Sequence, residues 1–254
     1  MVTVGYFCTK SYTEVGGIQA LLQKINPRVR WQRCFPAVLK PGPKPGRLAL
    51  PLGDQDMGAT GESLIRRMEQ RLRDHYRGAA LDALLLIDDA DCRFCGDDPP
   101  KSQAEAIEAL TRRARTALGR DDIPVFALFA SPEVEAWLLA DWDRSFGADH
   151  PHLSHTLRHH LAQRLTPHWP ATEGYGCPEL RGGGCTTKLS EVLQDVMADP
   201  ATYAWAKLDP AKDGRRYSKK VDGALMLQRV RPERISEHCS LFFAPVARQL
   251  AALP

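Results

Sequence analysis

The sequence lacks several features, and each absence excludes a class of function. No apolar run approaches the roughly 18 to 20 residues that a membrane-spanning helix needs, and the longest, around Ala83 to Ile87, has a strand's length. Met1 is followed by Val-Thr-Val-Gly-Tyr-Phe, without the basic stretch or small-residue cleavage site of a secretory signal, so a soluble, cytoplasmic protein is expected. Neither a Walker A loop nor a G-x-G-x-x-G fingerprint is present, and no Gly-x-Ser-x-Gly elbow occurs, which argues against nucleotide hydrolysis by this chain alone. Internal repeats and long low-complexity tracts are missing too. Cysteine is present in an odd number, seven, which without an export signal reads as reduced thiols or metal ligands rather than a disulfide framework. A charge excess is nearly absent: the formal net charge is +3, too small to identify a nucleic-acid binder.

What is present is ordinary in bulk. Hydrophobic residues make up 43% and charged residues 26% of 254, which excludes wholesale disorder and fibrous architecture and allows one large domain or one domain with an elaboration. The periodicity alternates. Short apolar runs at Val2 to Cys8, Val29 to Leu39, Leu81 to Ile87 and Ile123 to Ala130 predict strands. Between them, Thr13 to Ile25, Glu62 to Tyr76 and Ser102 to Leu118 carry apolar residues at helical spacing, the last with Ser102 and Glu105 placed as a capping box. Gly16 and Gly17 weaken the first turn of the first helix. This order predicts an α/β fold with a largely parallel sheet flanked by helices, whose strands end along one edge. After Pro132 no clear strand remains. Helices are expected at Glu133 to Asp141, Leu153 to Leu165, Thr186 to Met197, Val221 to Arg229 and Leu241 to Leu253. The expected division is therefore an α/β core over residues 1–145 and a mostly helical C-terminal region over 146–254 packed on it.

Chemistry concentrates where strands end. Asp88, Asp89 and Asp91 follow the most apolar strand, and three carboxylates so close need a cation or hydrogen-bond donors to offset their repulsion. Strand alternation would send Asp89 and Asp91 to one side and Asp88 to the other, giving hard oxygen ligands for Mg²⁺ or Mn²⁺. An acidic strand-to-loop turn is the plainer alternative. Glu14, just past the first strand, could face them across the edge, or could simply sit well at a helix N-terminus. Glu133 and Glu135, after the last strand, carry the same two readings.

Other clusters have weaker patterns. Cys92 and Cys95 form a Cys-x-x-Cys pair, and with Cys177 and Cys185 they could hold structural Zn²⁺, although the second spacing is wider than usual. His155 and His159 have i, i+4 spacing without the metalloprotease glutamate between them. Arg66, Arg67, Arg71, Arg73 and Arg77, and then Arg112, Arg113 and Arg115, read as solvated helix faces before phosphate-binding ones. Near the C-terminus Lys188, Lys207, Lys212, Arg215, Arg216, Lys219 and Lys220 surround Trp205 and Tyr217, a composition that suits a nucleic-acid backbone and its bases or a solvated basic face.

Four segments in order extend this reading: Glu14 to Ile25, the strand ending in Asp89-Ala90-Asp91, Glu133 to Ala140, and Tyr217 to Ala224 with Phe242 or Phe243 downstream. Together they resemble an uncharacterised bacterial TOPRIM-like family. The resemblance implies a TOPRIM-type sheet in which an N-terminal glutamate and an Asp-x-Asp pair handle Mg²⁺-dependent phosphodiester chemistry, as in nuclease components found beside ATPases in anti-phage or mobile-element loci. It implies Glu14, Asp89 and Asp91 as catalytic and metal-binding residues, Glu135 as a further metal ligand, and an ATPase as protein partner; Lys188, Arg215, Arg216, Lys219 and Lys220 are expected as nucleic-acid contacts from their charge alone. A homo-oligomer is left open. One departure stands out. Where that family has Glu-Gly-x-Gly-Glu, this chain has Lys10-Ser11-Tyr12-Thr13-Glu14, so Lys10 replaces the first glutamate. A lysine there can clamp a phosphate but is a poor general base. Two expectations follow: a metal-dependent nuclease, or a TOPRIM-like module that has lost hydrolysis and kept binding or sensing.

Overall fold

A computed structural model describes residues 1–9, 12–36, 59–91, 93–94, 99–169, 171–173, 175, 188–214 and 217–254, with the side chains of 12–15, 99–100, 212–213 and 220–221 outside that description. Four strands, β1 (Thr3–Cys8), β2 (Arg30–Phe35), β3 (Ala83–Asp89) and β4 (Val125–Ala130), form one parallel sheet in the order β2-β1-β3-β4. The expected α/β class and parallel sheet are thus present. The two central strands are the most completely buried because both of their faces are covered.

Alternation along β3 assigns the two faces. Leu85 and Ile87 join Val4, Tyr6 and Cys8 of β1 in a core closed by α1 (Tyr12–Ile25), α4 (Glu135–Ala140) and C-terminal helices. Leu84 and Leu86 turn the other way, toward α2 (Gly61–Arg71) and α3 (Pro99–Leu118). After β4 the described chain is helical: α5 (Phe146–Asp149), α6 (Ser154–Leu165), α7 (Leu189–Ala198), α8 (Pro200–Trp205), α9 (Pro210–Asp213), α10 (Ala224–Arg229), α11 (Pro232–His238) and α12 (Phe243–Ala251). Apolar side chains of α5, α6, α7, α10, α11 and α12 share the first core with β1 and β3, from Val4 to Leu250.

Several expected boundaries move for physical reasons. Helix α3 starts at Pro99, so Ser102 and Glu105 lie inside it and form no capping box; a proline suits the first helical position because no intrahelical acceptor awaits its missing N–H. The run to Tyr76 is α-helical to Arg71 and continues as a π turn over Leu72–Tyr76. A second π turn, Lys219–Gly223, precedes α10. Residues 37–39 of the expected second strand and 186–187 of the expected seventh-helix start lie outside the described residues.

The glycines of α1 have a packing role that offsets their poor helix propensity. A Cβ on Gly16 would stand 2.6 Å from Ala224 Cβ, and one on Gly17 would stand 2.5 Å from Leu227 Cβ, so α10 lies directly against the α1 backbone. Polar ties reinforce the contact. Gln228 Nε2 donates to Gly16 O at 2.9 Å, and Lys24 Nζ donates to the Gln228 and Val230 carbonyls. Buried Asn26 donates through Nδ2 to the carbonyls of Leu250 and Leu253, satisfying acceptors that the end of α12 leaves open. Gly17→Ala should therefore lower unfolding stability by about 1–3 kcal/mol through overpacking, despite alanine's better helix propensity. Urea denaturation checks this, and the penalty should shrink in a Leu227→Ala background, where the clashing side chain is gone.

Candidate functional site at the carboxyl end of the sheet

Strand β3 runs two residues further than its apolar run, pairing Asp88 with Phe129 and Asp89 with Ala130 of β4. Beyond the strand, Ala90 N donates to Ala130 O at 2.7 Å and Asp91 N to Pro132 O at 2.8 Å, which fixes the aspartates beside the loop leaving β4.

Asp88 points to the α2 face and is 2% exposed. Its Oδ2 accepts from the Arg93 guanidinium at 2.6 Å and from Gly61 N, the first residue of α2, at 2.9 Å; its Oδ1 accepts from Thr9 Oγ1 at 3.3 Å. Gly61 has φ +55°, a conformation that favours glycine, and it brings that N–H onto the carboxylate. Burial pushes the Asp88 carboxyl above its ordinary value, an effect that Arg93 and the other donors reduce. Arg93 also donates to the Asp89 and Ala90 carbonyls, and it lies over the Phe94 and Phe129 rings.

Asp89 points to the opposite face, as alternation predicts, and its Oδ1 accepts from Val134 N at 3.1 Å ahead of α4. Asp91 does not continue the alternation. The strand has ended, Asp91 has φ +45°, and its side chain is exposed.

A second acidic group lies on the Asp89 face. Glu133 is buried, with Oε1 accepting from Ser190 N at 2.6 Å and Oε2 from Ser190 Oγ at 3.2 Å. Lys219, from the second π turn, places its ammonium 2.8 Å from Glu133 Oε2 and 3.3 Å from Glu135 Oε1. Tyr217 donates its hydroxyl to Glu135 Oε1 at 2.9 Å. Glu135 is fully buried, and among the described residues its Oε2 has no hydrogen-bond partner. Burial first, and the Glu133 charge second, push the Glu135 carboxyl up. Burial alone would lower the Lys219 ammonium, but Glu135, Glu133 and, more weakly, Asp89 outweigh it and hold the ammonium charged well above its ordinary range.

The structure therefore joins Glu133 and Glu135 on one lysine, with Asp89 on the same face of the sheet, and sets Asp88 apart with an arginine. Lys219 and Tyr217, expected among the nucleic-acid contacts, are instead turned into this cluster, and Tyr217 is buried. Lys188 is exposed just before α7. Lys10, Cys92, Cys95, Cys177, Cys185, Arg215 and Arg216, and the side chains of Glu14, Lys212 and Lys220, lie outside the described residues. The other three cysteines, Cys8, Cys34 and Cys239, are buried free thiols. On the arginine-rich faces Arg113 bridges Glu62 and Glu69 between α2 and α3, Arg66 pairs with Glu62, and Arg112 with Glu108.

A divalent ion at this edge would need several carboxylate oxygens turned to one point. Both Asp88 oxygens, both Glu133 oxygens and Asp89 Oδ1 accept from protein donors. Among the described residues no three His, Cys, Asp or Glu side chains are grouped to hold a metal ion, and the Glu14 side chain lies outside them.

A family model described as a domain of unknown function, DUF4276, matches residues 10–244. The chain belongs to the DUF4276 family. No curated protein and no solved structure matches it. The DUF4276 match takes in Asp88, Asp89, Arg93, Glu133, Glu135, Tyr217 and Lys219, so both carboxylate groups lie within the family domain. No helix among the described residues is long and apolar enough to cross a membrane.

Sequence reasoning missed Arg93 and the pairing role of Lys219. The signal for Arg93 was its place two residues after Asp91, where a cation can reach back to the strand end. Lys219 gave none, because its partners lie more than 80 residues away. Lys219→Met should destabilise the fold by about 2 kcal/mol at neutral pH. Removing one partner of a buried pair costs more than this, but the lysine side chain is 37% exposed, which reduces the effect. Glu135 already has a folded pKa above its unfolded one, so its contribution to stability is complete in acid and is lost as pH rises through the folded value. Without the ammonium that value rises further. The Lys219→Met deficit in urea unfolding should consequently be smaller at pH 5 than at pH 8.

Proposed function

We propose that this chain is a binding module on a TOPRIM-like α/β frame, whose acidic sheet edge is a fixed structural element rather than a hydrolytic centre. One observation carries the reading: the buried edge acids are compensated by cations of the same chain, Asp88 by Arg93 and Glu133 with Glu135 by Lys219. A hydrolytic site keeps carboxylates available to metal and water, whereas these are committed to holding segments together. Lys10 at the position of the first family glutamate supports the same conclusion, since a lysine there cannot serve readily as general base.

Such a module acts by recognising a nucleic acid or a protein, and the TOPRIM-like resemblance favours a nucleic-acid context with an ATPase as partner. The competing reading, a Mg²⁺-dependent nuclease using Glu14, Asp89 and Asp91 with Lys10 on a phosphate, rests on that resemblance. The two separate by experiment. Purified protein, with and without any ATPase found encoded beside it, should take up no stoichiometric Mg²⁺ by calorimetry and should leave single- and double-stranded DNA and RNA uncut. The Asp89→Ala/Asp91→Ala double variant should retain wild-type biological activity. Mg²⁺-dependent cleavage that disappears in Asp89→Ala would overturn the proposal in favour of the nuclease.

A further inference from the structure

Trp205, the last residue of α8, is 69% exposed. An indole left that open normally packs down or is replaced. Here it is held in place. The His159 ring of α6 stacks on it at 5.6 Å and 22°, and His160 meets it edge-on at 5.9 Å. Both imidazoles are fixed in turn: His159 Nε2 bonds Gln163 Nε2 at 3.1 Å, and His160 Nδ1 lies 3.0 Å from Thr202 Oγ1. The Thr202 hydroxyl donates to Val196 O at 2.8 Å, so it accepts from His160 Nδ1–H, which sets that ring's proton position. The result is a rigid aromatic platform on the protein surface.

The α6 stretch beside it is one-sided in charge. From His150 to Thr172 there is no acidic residue, while the stretch contains six histidines, Arg158 and Arg164. Arg158 and Arg164 are exposed on α6, and Lys207 is exposed two residues beyond Trp205. The acids nearest in sequence, Asp199 and Asp209, accept from Ala201 N and Ala211 N as caps of α8 and α9.

We propose that Trp205 with His159, flanked by Arg158 and Lys207, is a binding site for single-stranded nucleic acid, with a base stacked on the indole and the adjacent phosphates on the cations. A preset aromatic face beside exposed basic residues suits a base and its phosphate together, and stacking needs an unpaired base because a duplex hides base faces. The site deepens the binding-module reading and rests on it for biological meaning.

The test uses the full chain and fluorescence anisotropy of labelled 20-nucleotide oligothymidylate, oligouridylate and a duplex of equal length. The expected result is binding of the single strands that weakens steeply with salt and exceeds duplex binding. Trp205→Ala should weaken it by about tenfold, as loss of one base stack does, and Trp205→Phe should retain most of it. Arg158→Glu should weaken binding and flatten its salt dependence. Circular dichroism should show all three variants folded, because both side chains are exposed. Equal affinity of wild type and Trp205→Ala, preference for duplex, or absence of binding would overturn the site while leaving a protein-binding module intact. Concentration-dependent self-association abolished by Trp205→Ala would assign the platform to a second copy instead, and also overturns it. Cleavage of an oligonucleotide whose binding depends on Trp205 would overturn the non-hydrolytic reading and leave this site standing.

Discussion

The Lys219 ammonium between Glu133 and Glu135 is the interaction on which the arrangement of the sheet edge depends. A carboxylate as buried as Glu135 loses several kcal/mol of hydration on ionising, and a second acid beside it adds repulsion. One ammonium serves both, assisted by the Tyr217 hydroxyl on Glu135 and the Ser190 groups on Glu133. Those donors come from three separate parts of the C-terminal region: Ser190 from α7, Tyr217 from the segment before the π turn, and Lys219 from the turn itself. The two glutamates thus draw distant helices onto the end of β4. Neither the acids nor the lysine would be tolerable there alone.

What positions Lys219 is backbone proximity elsewhere. Its π turn leads directly into α10, and α10 reaches its place only because Gly16 and Gly17 present no side chain to Ala224 and Leu227. The packing of α1 on α10 therefore sets the register in which the lysine meets its carboxylates. This connects a local peculiarity of sequence, two glycines in the first turns of a helix, to an electrostatic contact at the other end of the chain. Asn26 acts similarly at the opposite end of α1 by binding the last carbonyls of α12.

The strands were legible because burial leaves a direct trace: β3 is covered on both faces, so it reads as an unbroken apolar run, and its acids mark where the cover ends. The opposed directions of Asp88 and Asp89 followed from alternation for the same reason. Asp91 escaped because alternation holds only while the strand does. The pairing of Lys219 was hidden by its neighbours, since a run of lysines and arginines resembles a solvated face and no local pattern separates the member turned inward. Helices α8, α9 and α11 were too short for periodicity, yet each begins at a proline, and Asp199-Pro200 and Asp209-Pro210 are cap-and-first-residue pairs that could have been read. The π turns leave no comparable trace.

Charge distribution separates two surfaces of different use. Lys219 pairs with Glu133 and Glu135, and Asp89 adds a third acid whose charge it feels, so the acids outnumber the cation in this group. A phosphate gains nothing from approaching it. The helix α6 and its approach have the reverse character, with cations and imidazoles and no acid over 150–172. The same polypeptide thus compensates its buried acids with a basic residue taken from the C-terminal run, and keeps exposed basic residues on α6. A polyanion that meets this protein is directed by that asymmetry toward α6 and Trp205, away from the strand ends where the acidic residues are concentrated.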